Sequence, residues 1–136
     1  MLEEKLKSIA HSVSAPCTWG WDNRYNTLFL VVNPSQARRL QSQFEDAFET
    51  SWVDEVSGDD VTDSVEGLVK TLSGIRQGQS LHCSLVEGGN LIFAAFWPWV
   101  GQPMVSIRLG VFDPGQAGSL PESFDLLKEI FDAEVD

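Results

Sequence analysis

Apolar positions change period several times along this chain, and each change marks an element. Leu2, Leu6, Ile9 and Val13 recur at helical spacing, which predicts an amphipathic helix over residues 2–13. Ser14-Ala15-Pro16 stops it. Cys17, Trp19 and Trp21 then alternate with Thr18, Gly20 and Asp22, as in a strand with one apolar side. Asp22–Asn26 reads as a turn, and Thr27–Val32 as a second, almost wholly apolar strand. Asn33-Pro34 opens a helix. Asn33 can cap, Pro34 suits the first turn, and Gln36 can complete a capping box. Ala37, Leu40, Phe44, Ala47 and Phe48 form its apolar stripe, predicted to end near Trp52. After an acidic stretch from Asp54 to Asp63, Val65, Leu68, Val69, Leu72 and Ile75 share a helical face, with Gly74 near its end.

Three strand-like runs come next: Leu81–Glu87, Leu91–Trp97 and Met104–Phe112, separated by Gly88-Gly89 and by the loop from Pro98 to Pro103. Gaps this short force antiparallel neighbours, because a parallel return needs about a dozen residues. The runs therefore form a β-meander. Val105, Ile107, Leu109 and Val111 alternate with Ser106, Arg108 and Gly110, which predicts one buried face. Leu28–Val32 and Leu91–Trp97 are apolar on both sides, as in strands covered on both faces. Ser119-Leu120-Pro121-Glu122 has a capping-box pattern, and Phe124, Leu127, Ile130 and Phe131 give the last helix its apolar face. The order is helix, two strands, two helical segments, three strands, helix. It predicts an α+β fold over residues 1–136 as a single domain, with one antiparallel sheet of about five strands and helices on one or both faces.

This order of elements resembles the dynein light-chain roadblock family and, more loosely, the longin and profilin-like domains. The resemblance is one of topology and covers most of the chain. It implies an α/β/α sandwich acting as an interaction module, often as a dimer. In the roadblock arrangement the second strand lies at the sheet edge. Thr27–Val32 there would invite pairing with another copy, which makes a homodimer an expectation. Type III secretion chaperones are also small, acidic and α+β, but place three strands before the second helix.

Composition narrows the functions. With 43% hydrophobic and 21% charged residues, the chain has the makings of an ordinary globular core. The net charge is −11 and the nine basic residues are scattered, only Arg38 and Arg39 being adjacent. That argues against nucleic acid and against an anionic membrane, since both need a basic patch. It would attract a basic partner, although net charge speaks first to plain solubility. Cys17 and Cys83 are the only cysteines, too few for a disulfide framework; free thiols in a reducing compartment are expected. No signal-like or membrane-spanning run is present, so the expected location is the cytoplasm.

Chemistry-bearing motifs are scarce. His82 and Cys83 point to opposite sides of their strand and cannot act as a pair; a structural role is expected for each. No nucleophile elbow, phosphate-binding glycine loop or H-E-x-x-H pattern occurs, so no catalytic residue, cofactor or metal is assigned and a non-enzymatic role is expected. The acids Asp54, Glu55, Asp59 and Asp60 lack the alternate spacing of a calcium loop; they are solvated linker or a contact for a basic protein. Trp97 and Trp99 flank Pro98 at a hairpin end. Tryptophan is enriched at binding hot spots, which makes both candidate partner-binding residues. The leading expectation is a cytoplasmic protein–protein interaction module. The alternatives are an acidic inhibitor, immunity or chaperone-type protein for a basic partner, and a small-molecule-binding domain lined by Trp19, Trp21 and Cys17.

Overall fold

A computed structural model describes residues 2–13, 18–86 and 88–134. The helix stop at Ser14-Ala15-Pro16, the strand start and thiol at Cys17, and the strand end at Glu87 lie outside the described residues. Helix α1 spans Leu2–Ser12 and buries Leu6 and Ile9. Strands β1 (Gly20–Asp22) and β2 (Thr27–Val32) form a hairpin that leads straight into α2 (Pro34–Ala47). The Asn33 side chain accepts from the Gln36 N–H at 2.8 Å, and the Gln36 side-chain Oε1 accepts from the Asn33 N–H at 3.2 Å. Both halves of the capping box are therefore made, with Pro34 in the first turn.

The helix stops at Ala47, earlier than its apolar stripe predicted. Phe48 is extended, at φ −96° and ψ 152°. Thr50–Val53 is a strand, β3, and buries Trp52 on the sheet. A run of four residues behind a helical stripe carries too little periodicity to separate the two. Helix α3 (Asp63–Thr71) is capped by Thr62, whose hydroxyl accepts from the Val65 N–H. The meander consists of β4 (Ser80–Leu85), β5 (Leu91–Pro98) and β6 (Val105–Asp113).

A second departure lies at Gly118–Ser119, which pairs with Phe112–Asp113 as β7. Ser119 therefore belongs to a strand, and its hydroxyl donates to the Tyr25 carbonyl instead of capping the last helix. A 3-10 turn at Pro121–Ser123 leads into α4 (Phe124–Ile130), which has no side-chain cap. Among the described residues the sheet thus has seven strands, two more than expected, in the order β1-β2-β6-β5-β4-β3, with β7 extending the β2 side of β6. Every paired strand is antiparallel.

Strand β2 lies between β1 and β6, not at the edge. Edge pairing through Thr27–Val32, as the roadblock resemblance implied, is blocked over Thr27–Phe29, where β1 occupies that side.

The two faces are covered unequally. Helices α1, α2 and α4 bury one face around Leu28, Leu30, Ile92, Phe96, Ile107 and Leu109. On the other face α3 places Val65 and Leu68 over Trp52, Leu81, Cys83, Phe93 and Phe112, which are residues of β3 to β6. Among the described residues, no helix covers the same face of β2, where Phe29 and Val31 remain partly exposed. Strand β5 is buried on both faces as expected; β2 is not.

Candidate functional site

Alternation along β6 points Ser106, Arg108 and Gly110 to the α3 side, because Val105, Ile107, Leu109 and Val111 fill the opposite core. Arg108 lies across from Phe29 in the β2–β6 register. Its Nη1 donates to Asp22 Oδ2 at 2.7 Å, and both side chains are largely buried. The guanidinium sits 4.5 Å from the Tyr25 ring centre and 4.6 Å from that of Phe29. Aromatic faces attract a planar cation held in this way. Arg24 adds a second cation over Tyr25, at 5.2 Å.

Asp22 is positioned by its own turn. Its Oδ1 accepts from the N–H groups of Arg24 and Tyr25 at 2.8 and 3.2 Å. Burial alone would raise its pKa. The hydrogen bonds from Arg108, Arg24 and Tyr25, with the Arg108 charge, outweigh that and hold the carboxyl below its ordinary value. Asp22 is therefore ionised at neutral pH.

Beside this pair lies a cavity of about 240 Å³ between the sheet and the C-terminal end of α3. Its sheet wall is Tyr25, Thr27, Phe93, Trp97, Arg108, Phe112 and Ser119, and its helix wall is Leu68, Thr71, Leu72 and Ser73. Thr27 is only 3% exposed, yet its hydroxyl has no hydrogen-bond partner among the described residues. Gly110 makes room beside it. A Cβ there would stand 2.8 Å from Thr27 Cγ2 and 3.3 Å from the Phe93 ring, closer than packed carbons approach.

A strip of apolar surface continues from the cavity over the uncovered part of the sheet. It runs through Tyr25, Phe29, Val31 and Trp97 to Trp99, whose indole N–H donates to Ser106 Oγ at 2.6 Å. Trp99 and Tyr25 are 41% and 49% exposed, and Val100 beyond them is fully exposed. Trp97 and Trp99 therefore share one surface.

The acidic residues do not form one patch. The Asp54 carboxylate accepts from the Gly78 N–H at 2.7 Å, and Gly78 adjoins Pro98, so Asp54 lies at the tryptophan end of the sheet. Asp60 lies near Thr50, Cys83 and Leu85, toward the other end of β3 and β4. The loop between them crosses Trp52, whose indole N–H donates to the Ser57 carbonyl at 2.9 Å. Glu55 and Asp59 are exposed along it. Among the described residues, no group of three or more His, Cys, Asp or Glu could hold a metal ion.

The pocket expected around Trp19, Trp21 and Cys17 is not formed by its tryptophans. Trp19 is buried against Phe131 and Trp21 packs against Phe124, both on the face covered by three helices. Cys17 lies outside the described residues. Cys83 is buried under α3, and burial pushes its thiol up to about 12. His82 is fully buried among Phe44, Phe48 and Phe96. Its Nδ1 is 2.7 Å from Ser51 Oγ and its Nε2 3.3 Å from Ser80 Oγ. Burial lowers its pKa to about 4, so it is neutral at pH 7.

Tyr25, Thr27 and Arg108 were not singled out from the sequence. The signal available was a lone arginine on the polar side of a strand between otherwise apolar strands. No helix among the described residues is long and apolar enough to cross a membrane. Comparisons with protein-family models, with curated proteins and with solved structures found no match for this chain.

Proposed function

We propose that this chain is a non-enzymatic, cytoplasmic protein-interaction module that binds a basic protein through the uncovered aromatic strip of its sheet. The observation that carries this is the continuous run of partly exposed Tyr25, Phe29, Val31, Trp97 and Trp99 on a face where no helix among the described residues covers β2. Exposed aromatic surface rimmed by polar groups is typical of contact sites, and tryptophan and tyrosine carry much of the energy in them. A net charge of −11 opposes a second copy and attracts a basic partner. Glu55, Asp59 and Asp60 speed the encounter, whereas Asp54 is engaged in holding the loop to the turn at Gly78.

The test is capture from the native cell extract by wild type, by Trp99→Ala and by Val31→Asp, each first verified as folded by circular dichroism. The expected result is one basic protein held by wild type, lost from both variants and weakened by salt. Equal recovery on all three would overturn the assignment of the strip. Self-association of the wild type that increases with salt, and is abolished by Val31→Asp, would replace the basic partner with a second copy.

A further inference from the structure

The cavity between α3 and the sheet has features that a protein contact does not need. Thr27, one of its lining residues, carries a hydroxyl that is almost wholly buried and has no partner among the described residues, Oγ1. Such a group is stable in a native fold chiefly when something supplies the missing bond. Thr27 and Arg108 are diagonal neighbours on one face of β2 and β6, since Leu28 pairs with Leu109 and Phe29 with Arg108. Among the described residues, the Arg108 side chain makes a single hydrogen bond, from Nη1 to Asp22. A guanidinium carries five N–H donors, so most of its fork is unused. The rings of Tyr25 and Phe29 lie 4.5 and 4.6 Å from it, and Arg108 itself lines the cavity, so its unused donors face a site where a further partner could bind.

We propose that this cavity binds a small monocarboxylate with an aromatic or aliphatic body, its carboxylate held by Arg108 and Thr27. The proposal is independent of the protein-interaction reading. A carboxylate accepts in the plane of a guanidinium, which suits the free edge of Arg108, and it also accepts the threonine O–H. The local charges agree. Arg108, Arg24 and Asp22 leave one positive charge in excess, and none of the described residues lining the cavity is acidic. The helix wall works in the opposite sense. Thr71, Leu72 and Ser73 belong to the C-terminal end of α3, where carbonyl oxygens repel an anion. The charged end of the ligand therefore belongs on the sheet side, and its body lies against Leu68, Leu72, Phe93 and Phe112. An apolar cavity of about 150 Å³ accepts benzene, so about 240 Å³ fits a ring with a short acid arm or a chain of similar bulk.

Phenylacetate and hexanoate are the probes, with phenylacetamide as the uncharged match, each titrated into isotope-labelled protein and followed by amide chemical shifts. Saturable shifts at Thr27, Arg108 and Leu72 are expected with at least one acid. The acid should bind about tenfold or more tighter than phenylacetamide, as befits a charge-assisted pair. Thr27→Val and Arg108→Gln should each weaken the acids, and Arg108→Gln should weaken them more than phenylacetamide, which lacks the charge. If Arg108→Gln fails to fold, Thr27→Val decides alone, since it conserves shape. The proposal is overturned if neither acid gives saturable shifts at these residues up to about 10 mM, a limit set by the weakest affinity worth calling a site. It is equally overturned if the amide binds as tightly, or if the shifts map elsewhere.

Discussion

Replacing Thr27 by valine should make the ligand-free protein more stable. The substitution exchanges a hydroxyl for a methyl of nearly the same volume and keeps the β-branched shape that suits a strand. The methyl already present, Cγ2, stays packed over Gly110. What disappears is a buried oxygen without a partner among the described residues. Leaving such a group unsatisfied costs about 1–3 kcal/mol, so a gain of about 1.5 kcal/mol is expected. With a urea dependence near 2 kcal/mol per molar for a domain of this size, the midpoint should rise by about 0.7 M with an unchanged slope. Equilibrium urea unfolding followed by tryptophan fluorescence reads this directly. Thr27→Ser is the control, since it keeps the hydroxyl and loses the packed methyl, and should lose about 1 kcal/mol. A lower midpoint for Thr27→Val would refute the reasoning, because it would mean that the hydroxyl is satisfied in the free protein.

Stability should also fall as the medium is acidified from neutrality. The unfolded chain protonates His82 near its ordinary value of 6.5, whereas the folded protein resists until about 4. The contribution is therefore fully present above about pH 6.5 and lost progressively down to pH 4, amounting to about 3 kcal/mol. Urea midpoints between pH 7 and 4 should show that slope, and His82→Gln should flatten it. Asp22, with its pKa lowered, adds its own loss only as pH drops below about 4. Gly110→Ala should cost about 1–3 kcal/mol by forcing Thr27 and Phe93 apart, visible as a lower midpoint; a neutral result would show that the floor of the cavity yields. Asn33→Ala should cost about 1 kcal/mol by removing the side-chain acceptor for the Gln36 N–H, and Asn33→Ser should recover most of it.

Local signals in the sequence were strong where one residue type has one physical use. Asn33, Pro34 and Gln36 announced the start of α2, and Gly88-Gly89 announced the β4–β5 turn, where both glycines have positive φ near +90°. Short elements defined by their partners left no such trace. Gly118–Ser119 is a strand only because Phe112–Asp113 lies beside it, and Thr50–Val53 only because Ser80–Cys83 does. The site was harder still. Arg108 is visible in the sequence as a polar residue on an alternating strand. Its meaning comes from Asp22, which is 86 positions away, and from the register that sets it opposite Phe29. Trp97 and Trp99 were legible as a pair, but their continuity with Tyr25 depends on a strand order that no local pattern encodes.

The unequal covering of the sheet has a consequence for how the native protein opens. Helix α3 has nine residues and holds on chiefly through Val65 and Leu68. Isolated helices this short do not persist in water, so α3 is ordered by its contact with the sheet. Behind it, Ser73 and Gly74 both take positive φ, which breaks the helix sharply from the connection to β4. Such a segment can detach while α1, α2 and α4 stay packed on the opposite face, a subglobal unfolding unit with its own free energy. Amide hydrogens of α3 should then exchange with deuterium well before those of β5, which is buried on both faces. The protein would thus carry two melting layers in one domain, and transient lifting of the thinner one would give small molecules a route to the space beneath it.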